Sequence, residues 1–414
     1  MGHFRGLQFL HPAGEARISD RHTLLRRGAR AVPGRDPRGG AATEAPADSP
    51  RLRRPLHQRI PVIIGLASQE GRTLETVART ALRAWDISAN CRLTLLKRRE
   101  NAVLEVDILD KPTYVLRVHR RGYHSDAALR SELAWMISLA EQGIPTPRVV
   151  PTLSGDILTL VPDPDGARPY QCDLLSWVCG TPLGHIEERS FGDNEFVERA
   201  YRQVGGLAAR LHAHGAQWHP GGTFNRHSWD EAGCLSRPGV WGHFADLQTL
   251  TASERRLLQE AAEVARHRLG AFGKLPNRFG LIHGDLVPEN VLLDGNECTL
   301  IDFDDCGFGW YVAEIATAVF FQLGTPSFAP ALHAMIHGYR QVRALDEADL
   351  GMLDVMLLLR GMALLGWIQT RAETNTARRI RPMVTECSTA LAARMTGDTS
   401  DMANLNAALE LPAY

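Results

Sequence analysis

The stretch from residue 281 to residue 305, LIHGDLVPENVLLDGNECTLIDFDD, constrains the fold of this chain more than any other segment. Its centre, DGNE, places an Asp-Gly pair between two apolar runs, which is among the strongest signals for a β-hairpin. Such a hairpin brings Asn290, at the start of one strand, close to Asp302, at the end of the other. A hairpin does not need so much polarity. The stretch is therefore either an acid-rich surface turn or a site that holds a metal ion and a reacting hydroxyl.

The second interpretation has a defined chemistry. Asn290 and Asp302 offer two hard oxygen ligands, and this suits Mg2+, which shares the rest of its coordination shell with water and substrate phosphates. Asp285 lies on the same loop and is free to face a substrate hydroxyl. For Asp304 and Asp305 three roles stay open, namely helping to bind a second metal, attracting a cationic substrate, or capping the next helix.

Upstream, three runs predict a meander of antiparallel strands, at residues 91–96, 102–109 and 113–119. They are rich in β-branched residues and are separated by turn residues. Apolar residues at helical spacing predict a helix over residues 73–86 before the meander and another over residues 125–143 after it. Together these elements predict an antiparallel sheet with helices packed against it.

The helix over residues 125–143 carries Glu132 at the edge of its apolar stripe, where an unpaired carboxylate is costly. In the preceding strand, Val115, Arg117 and His119 share one face because side chains alternate along a strand. Arg117 is the natural partner for Glu132. The two residues are either a surface Arg with a solvated Glu, or a cation that Glu132 holds and aims at phosphate oxygens.

Residues 155–161 and 172–183 predict two more strands, and after Gly180 the pattern becomes mainly helical. The chain is therefore predicted to have an α+β fold with two lobes. The N-terminal lobe, with an antiparallel sheet plus helices, is placed at residues 61–179, and a larger, mainly helical lobe at residues 180–414.

Residues 1–60 differ in kind from the rest of the chain. They contain twelve arginines and five acidic residues, with many Gly and Pro and little apolar periodicity. Such a composition cannot bury enough apolar surface to offset the entropy of ordering. We therefore expect a disordered extension over these residues.

Composition also excludes several classes of function. The formal net charge of −1 does not support the clustered basic face that nucleic-acid binding needs. The most apolar run, residues 351–368, is interrupted by Asp354 and Arg360, which indicates a buried core helix rather than a membrane span. The seven cysteines are scattered and include no Cys-x-x-Cys pair, so neither a disulfide framework nor a zinc site is indicated. A reducing cytoplasm is the expected location.

The pattern H-G-D-x-x-x-x-N at residues 283–290, followed by a hairpin and I-D-F, resembles the catalytic core of the aminoglycoside phosphotransferase and choline kinase-like superfamily. SWVCG at residues 176–180 and GLAARLH at residues 206–212 are also similar to this family. The resemblance covers roughly residues 85–345. It implies a two-lobed protein-kinase-like fold, and ATP (with GTP as an open alternative) and Mg2+ as cofactors.

The resemblance also implies roles for the residues of the opening stretch. Asp285 orients and deprotonates the acceptor hydroxyl, and Asn290 and Asp302 bind the Mg2+ that bridges the nucleotide phosphates. His283 belongs to the same catalytic motif and supports the loop by packing and hydrogen bonding.

For the nucleotide itself, the resemblance implies a site formed by Arg117 and Glu132 together with Trp177 and Val178 at the boundary between the lobes. Arg117 stands where the family usually carries Lys. Arg is always charged and binds phosphate, but it is bulkier than Lys and not interchangeable with it. Glu314 stands where the family usually carries the Asp that tethers the catalytic loop. Its extra methylene predicts a looser tether.

These features predict a kinase that phosphorylates a hydroxyl of a small polar metabolite such as an amino alcohol or a hydroxy amino acid. Two alternatives stay open, a non-catalytic nucleotide-binding pseudokinase and a protein Ser/Thr kinase. Trp241, Arg360 and Trp367 are candidate walls of the acceptor pocket, unless they serve only as core residues.

Overall fold

Most of the chain between residues 69 and 397 is described by the computed structural model. The described residues are 69–87, 90–99, 101–109, 113–163, 166, 168–189 and 191–397. The extension expected over residues 1–60 lies outside them. The described residues all belong to one compact unit, and the predicted lobe boundary between residues 179 and 180 stays a prediction.

The N-terminal part of this unit contains a five-stranded antiparallel sheet in the order β1-β2-β3-β5-β4. The predicted meander is therefore confirmed. The strand predicted over residues 155–161 shortens to its last three residues, because the Asp156 side chain accepts hydrogen bonds from the next two backbone N–H groups in a local turn. The five strands are β1 (Arg92–Arg98), β2 (Asn101–Asp107), β3 (Tyr114–His119), β4 (Thr159–Val161) and β5 (Tyr170–Ser176).

One face of this sheet packs against α1 (Gln69–Leu82) through a cluster that includes Leu104 and Leu116. On the opposite face Arg117 meets Glu132 of α2 (Asp126–Glu141). This second helix begins after Ser125, whose hydroxyl accepts a hydrogen bond from a backbone N–H of its first turn and acts as the N-cap.

Two small sheets lie beyond the five-stranded sheet. The predicted hairpin is β9–β10, paired from Val291 with Leu300 to Asp294 with Glu297, and β6 adds to its edge. The second sheet has the order β7-β11-β8, and its first strand has only two residues, too few to leave a sequence pattern. The strands are β6 (Thr181–Pro182), β7 (Ser228–Trp229), β8 (Phe279–Ile282), β9 (Val291–Asp294), β10 (Glu297–Leu300) and β11 (Gly307–Trp310).

The remainder is mainly helical, as predicted. The apolar run becomes α9, which has a mean hydropathy of 1.3 and is 83% buried, so the prediction of a core helix is confirmed. The helices are α3 (Asn194–Gln217), α4 (Glu231–Leu235), α5 (Ala252–Phe272), α6 (Tyr311–Val319), α7 (Phe328–Arg340), α8 (Glu347–Leu350), α9 (Leu353–Thr370) and α10 (Asn375–Thr396).

Candidate active site

The loop between β8 and β9 holds the first two residues of the predicted site together. The Asn290 side chain donates from Nδ2 to the Asp285 carboxylate at 3.0 Å and to the Asp285 carbonyl oxygen at 2.9 Å. At the end of β10, the Ile301 N–H donates to the Asn290 carbonyl oxygen at 3.0 Å, which brings Asp302 beside this loop. Asp285, Asn290 and Asp302 all line one cavity. The hairpin thus brings together the residues that the sequence predicted it would.

Asp302 has an unusual backbone conformation and unusual electrostatic surroundings. Its φ of 65° places it in the left-handed region, which Asp tolerates better than most residues, and there the chain turns out of β10. Burial raises the pKa of its carboxyl group, and the nearby charges of Asp304 and Asp285 raise it further, although Lys97 at 3.6 Å lowers it. A bound cation would stabilise such a carboxylate.

Asp304 and Asp305 form part of the short turn that follows Asp302, and both line the same cavity. The next helix, α6, begins at Tyr311 with Trp310 at its N-cap, so the interpretation of these acids as helix caps is wrong. Asp305 instead accepts a hydrogen bond from the indole Nε1 of Trp241 at 2.9 Å. Both acids therefore face the cavity rather than a helix end.

Glu314 ties the catalytic loop to α6. Its carboxylate accepts hydrogen bonds from the backbone N–H of His283 at 2.5 Å and of Gly284 at 3.1 Å. The side chain is buried, and His212 lies 3.6 Å from the same carboxylate. The expectation of a looser tether is wrong, since the longer side chain reaches both backbone donors.

Both nitrogens of the His283 ring form hydrogen bonds that hold the catalytic loop. Its Nδ1 accepts from the backbone N–H of Asp285 at 3.3 Å, and its Nε2 donates to the carbonyl oxygen of Ile301 at 3.0 Å. Gly284 has a φ of 80°, and a Cβ at this position would collide with the carbonyl oxygen of Asp305. The loop therefore packs so closely against the acidic turn that a side chain at position 284 would not fit.

A cation from the protein core also contacts the catalytic loop. Arg360, on α9, donates from Nη2 to Asp285 Oδ1 at 2.6 Å and stacks over the Trp241 ring at 4.9 Å. The sequence pointed to Arg360 only as a charge in an apolar helix, and its pairing with Asp285 was not foreseen. Trp241, Arg360 and Trp367 all line the cavity, and their role as walls of the acceptor pocket stays a prediction.

On the other side of the cleft, Arg117 forms the predicted pair with Glu132 at 2.7 Å, and the interpretation as a solvated surface pair is wrong because both residues are buried. The guanidinium also binds Asp173 of β5 through two parallel hydrogen bonds of 2.8 and 2.9 Å. Burial alone lowers the pKa of Arg117, but Asp173 and Glu132 raise it well above its usual value. Arg117 is therefore a fixed and permanently charged group.

This arrangement bears on the nucleotide site. Asp173 also contacts the His119 ring at 2.6 Å, and Arg226 lies 3.8 Å from Glu132, so each carboxylate of this cluster lies beside two basic side chains. Among the described residues that line the cavity, Arg117 and Glu132 are absent, whereas Lys97 and Arg99 of the first hairpin are present. The sequence had placed the phosphate-binding cation on β3.

The other two residues predicted to contact the nucleotide, Trp177 and Val178, lie between β5 and β6 and are half-buried. The Trp177 N–H donates to the carbonyl oxygen of Thr113 at 3.2 Å, which holds this segment beside the start of β3. The structure thus places both residues just after the C-terminal end of β5, where the chain passes toward β6.

A sequence model described as the phosphotransferase enzyme family matches residues 93–350. The chain belongs to this family. The expectation of a phosphotransferase with an alcohol group as acceptor, from the aminoglycoside phosphotransferase and choline kinase-like enzymes, is confirmed.

Individual relatives of this phosphotransferase agree with that assignment. The chain is 26% identical over 294 residues to amicoumacin kinase of Bacillus subtilis (strain 168), an alignment that covers 69% of this chain and 82% of the relative. It is 34% identical to the structure of the microcompartment-associated aminopropanol kinase, with a TM-score of 0.69 and coverage of 78% of this chain and 97% of the other.

The structure of amicoumacin kinase hAmiN in complex with AMP-PNP, Ca2+ and Ami is 18% identical, with a TM-score of 0.63, and covers 79% of this chain and 96% of that one. This likeness shows the fold. With the aminopropanol kinase it confirms the predicted two-lobed, protein-kinase-like α+β fold.

Proposed function

We propose that this phosphotransferase uses ATP and Mg2+ to phosphorylate a hydroxyl of a small polar metabolite that carries an amine, such as an amino alcohol or a hydroxy amino acid. The observation that carries the proposal is the convergence of Asp285, Asn290 and Asp302 on one cavity. The likeness to an aminopropanol kinase supports an acceptor of this size and chemistry.

In this proposal Asp285 orients the acceptor hydroxyl and accepts its proton. Asn290 donates to one carboxylate oxygen of Asp285 and Arg360 to the other, so the carboxylate is held in one orientation from both sides. Each oxygen keeps a lone pair for the substrate. Phosphoryl transfer relies mainly on positioning and charge neutralisation, and a carboxylate fixed in this way supplies the positioning. His283 and Glu314 support the loop behind it.

The donor set fits a magnesium ion. Asn290 uses its Nδ2 on Asp285 and can offer its Oδ1, while Asp302 offers a carboxylate that lines the same cavity. When bound, Mg2+ neutralises the charge of the nucleotide phosphates. We assign Trp177 and Val178 to the adenine end of the nucleotide site, and Arg117 with Glu132 to the buried ion-pair cluster that supports the sheet beside it.

The acceptor side of the cavity combines acids with aromatic rings. Asp304 and Asp305 supply negative charge, and the rings of Trp241 and Trp367 already carry the guanidinium groups of Arg360 and Arg371. Carboxylates attract an ammonium group, and aromatic rings pack against its apolar carbons. This combination supports an amine-bearing acceptor, with its hydroxyl directed to Asp285.

The test is a phosphorylation screen with purified protein, ATP or GTP, and Mg2+, against hydroxyl compounds that come in pairs with and without an amine. We expect transfer to amino alcohols or hydroxy amino acids, and weaker transfer to the amine-free partners. The Asp285→Asn variant should lose transfer by about a thousandfold. Asp294→Asn, which changes an exposed acid of the same hairpin, is the matched control and should keep full activity.

The outcome also separates the two alternatives. Binding of ATP with no transfer to any compound would contradict the proposal and favour the pseudokinase. Labelled phosphate found in protein rather than in the small-molecule fraction would favour a protein kinase. Phosphoryl transfer at this site does not depend on a particular oligomeric state. The cytoplasmic location stays a prediction.

A further inference from the structure

We infer that Lys97 of β1, and not Arg117 of β3, is the side chain that binds the nucleotide phosphates. This inference rests on the proposed function, because it assumes that the cleft binds ATP. It concerns which of two cations on the same face of the sheet is available to a ligand.

Arg117 is not available. Its Nε, Nη1 and Nη2 all donate to buried carboxylates, with Glu132 at one side and Asp173 at the other. The side chain is only 4% exposed and does not line the cavity among the described residues. Two of its five N–H groups are not used in these bonds, but the guanidinium is buried away from the cavity. Drawing it toward a phosphate would separate it from a buried carboxylate, and an unpaired buried charge is strongly destabilising.

Lys97 has the opposite surroundings. Its side chain is 35% exposed, lines the cavity, and lies 3.6 Å from Asp302, one of the proposed metal ligands. That distance is longer than a hydrogen bond, so the ammonium group can exchange this contact for phosphate oxygens at little cost. The neighbouring Arg99 also lines the cavity, but it already donates to Glu289 and to Thr376, each at 3.2 Å.

The backbone explains why Lys97 faces the cleft. In the β1–β2 ladder Leu95 pairs with Leu104, but Lys97 pairs with Val103, so Leu96 is an extra residue in a β-bulge. Leu104 belongs to the core beneath α1, whereas Val103 lines the cavity. Because residues directly opposite in an antiparallel pair share a face, the bulge moves Lys97 from the core face to the cleft face.

The ladder then continues across the sheet. Val103 pairs with Arg117, and Arg117 pairs with Asp173. Lys97 and Arg117 therefore occupy the same cross-strand row, two strands apart, which is about 10 Å at the usual strand spacing. In this arrangement the cation that faces the cleft lies on β1, whereas the cation on β3 is part of a buried ion-pair cluster.

The test compares Lys97→Met with Arg98→Met on the full chain. Arg98 is the exposed neighbour on the same strand and serves as the matched control. Isothermal titration with Mg2+ measures the affinity for ATP and for adenosine. We expect Lys97→Met to weaken ATP binding by about tenfold to a hundredfold, as for lost hydrogen bonds to a charged group, and to change adenosine binding by less than about twofold.

Arg98→Met should change neither affinity, and Lys97→Arg should restore most of the ATP affinity. An ATP affinity of Lys97→Met equal to that of the wild type would overturn the inference. So would an equal loss of ATP and adenosine binding, which would indicate a disturbed hairpin.

Arg117→Lys provides the reciprocal experiment. It should lower the melting temperature, because Lys cannot form the paired hydrogen bonds to Asp173, yet keep the wild-type ratio of ATP to adenosine affinity. A collapse of that ratio would assign the phosphate contact to Arg117 and refute the inference. If the wild type binds ATP through Lys97 but transfers no phosphate, the proposed function fails and the role of Lys97 stands. A wild type that binds no ATP would overturn both.

Discussion

Two aspartates on opposite sides of the cleft show how differently this fold treats the same side chain. Asp173, in the sheet, is fully buried, and although burial raises the pKa of its carboxyl group, the charges of Arg117 and His119 lower it below its usual value. Asp302, at the end of the hairpin, has a raised pKa, because burial and the neighbouring acids outweigh Lys97. Asp173 is thus matched by positive charge, whereas Asp302 is not, because burial and the neighbouring acids outweigh its contact with Lys97 at 3.6 Å.

The largest expected effect belongs to the unmatched aspartate. Asp302→Asn should lower the rate of phosphoryl transfer by about a thousandfold, since a catalytic metal contributes several kcal/mol to transition-state stabilisation. The free energy of unfolding without metal should not fall, because the change removes a charge that its neighbours repel. Single-turnover rates at saturating Mg2+ check the loss of transfer. Urea unfolding in the presence of a chelator checks the free energy of unfolding. A loss of stability would break the comparison.

For the matched aspartate we expect the reverse. Asp173→Asn leaves Arg117 and His119 without their carboxylate, and breaking a buried ion pair costs about 3–5 kcal/mol of unfolding free energy. The stabilisation belongs to the ionised form, whose pKa is lowered, so it is present above the unfolded pKa of about 3.9 and is lost as pH falls below it. Urea unfolding at pH 7 and at successively lower pH measures the difference. A difference that grows on acidification would contradict this account.

Glu314 offers a smaller and sharper test of the loop that joins the two sides. Glu314→Asp restores the residue that the family usually has, but shortens a side chain that here reaches two backbone donors. We expect kcat to fall by about tenfold, because a small displacement of the orienting carboxylate reduces positioning. KM for ATP should be unchanged. Equal activity of the two forms would show that the loop adjusts to either length.

The smallest effect concerns pH. Burial, followed by the charge of Arg226, lowers the pKa of His227 to about 3. The unfolded chain then binds this proton first, so stability falls as pH decreases from about 6.5 toward the folded-state value. His227→Gln should flatten this slope, as measured by urea midpoints between pH 7.5 and pH 5. A slope identical to that of the wild type would place the proton uptake on other histidines.

The sequence predicted the parts of the site that depend on local signals. The Asp-Gly turn set the hairpin and with it the approach of Asn290 to Asp302, and the strand alternation identified the partner of Glu132. Both rest on periodicities of a few residues, which the chain carries in its own pattern.

What could not be predicted depends on long-range register. Asp173 meets Arg117 only because β5 pairs with β3 across 56 residues of chain, and no local pattern specifies that pairing. The bulge at Leu96 could not be predicted from the sequence either, since one extra residue in a strand leaves its composition unchanged. Whether the Glu314 carboxylate reaches its two backbone donors depends on where the loop backbone lies. The length of the side chain alone could not predict that.

The face that α9 turns to the cavity has a consequence for how this enzyme can diversify. Arg360, Leu364 and Trp367 line the cavity from successive turns of one buried helix, and Arg360 also holds Asp285. Selection for a different acceptor by reshaping Leu364 or Trp367 therefore acts on the same rigid body that sets catalytic geometry. If the proposed function holds, we expect changes at these two residues to alter acceptor binding and turnover together. We expect less interference from changes at Phe321 and Ile186, which line the cavity from outside this helix.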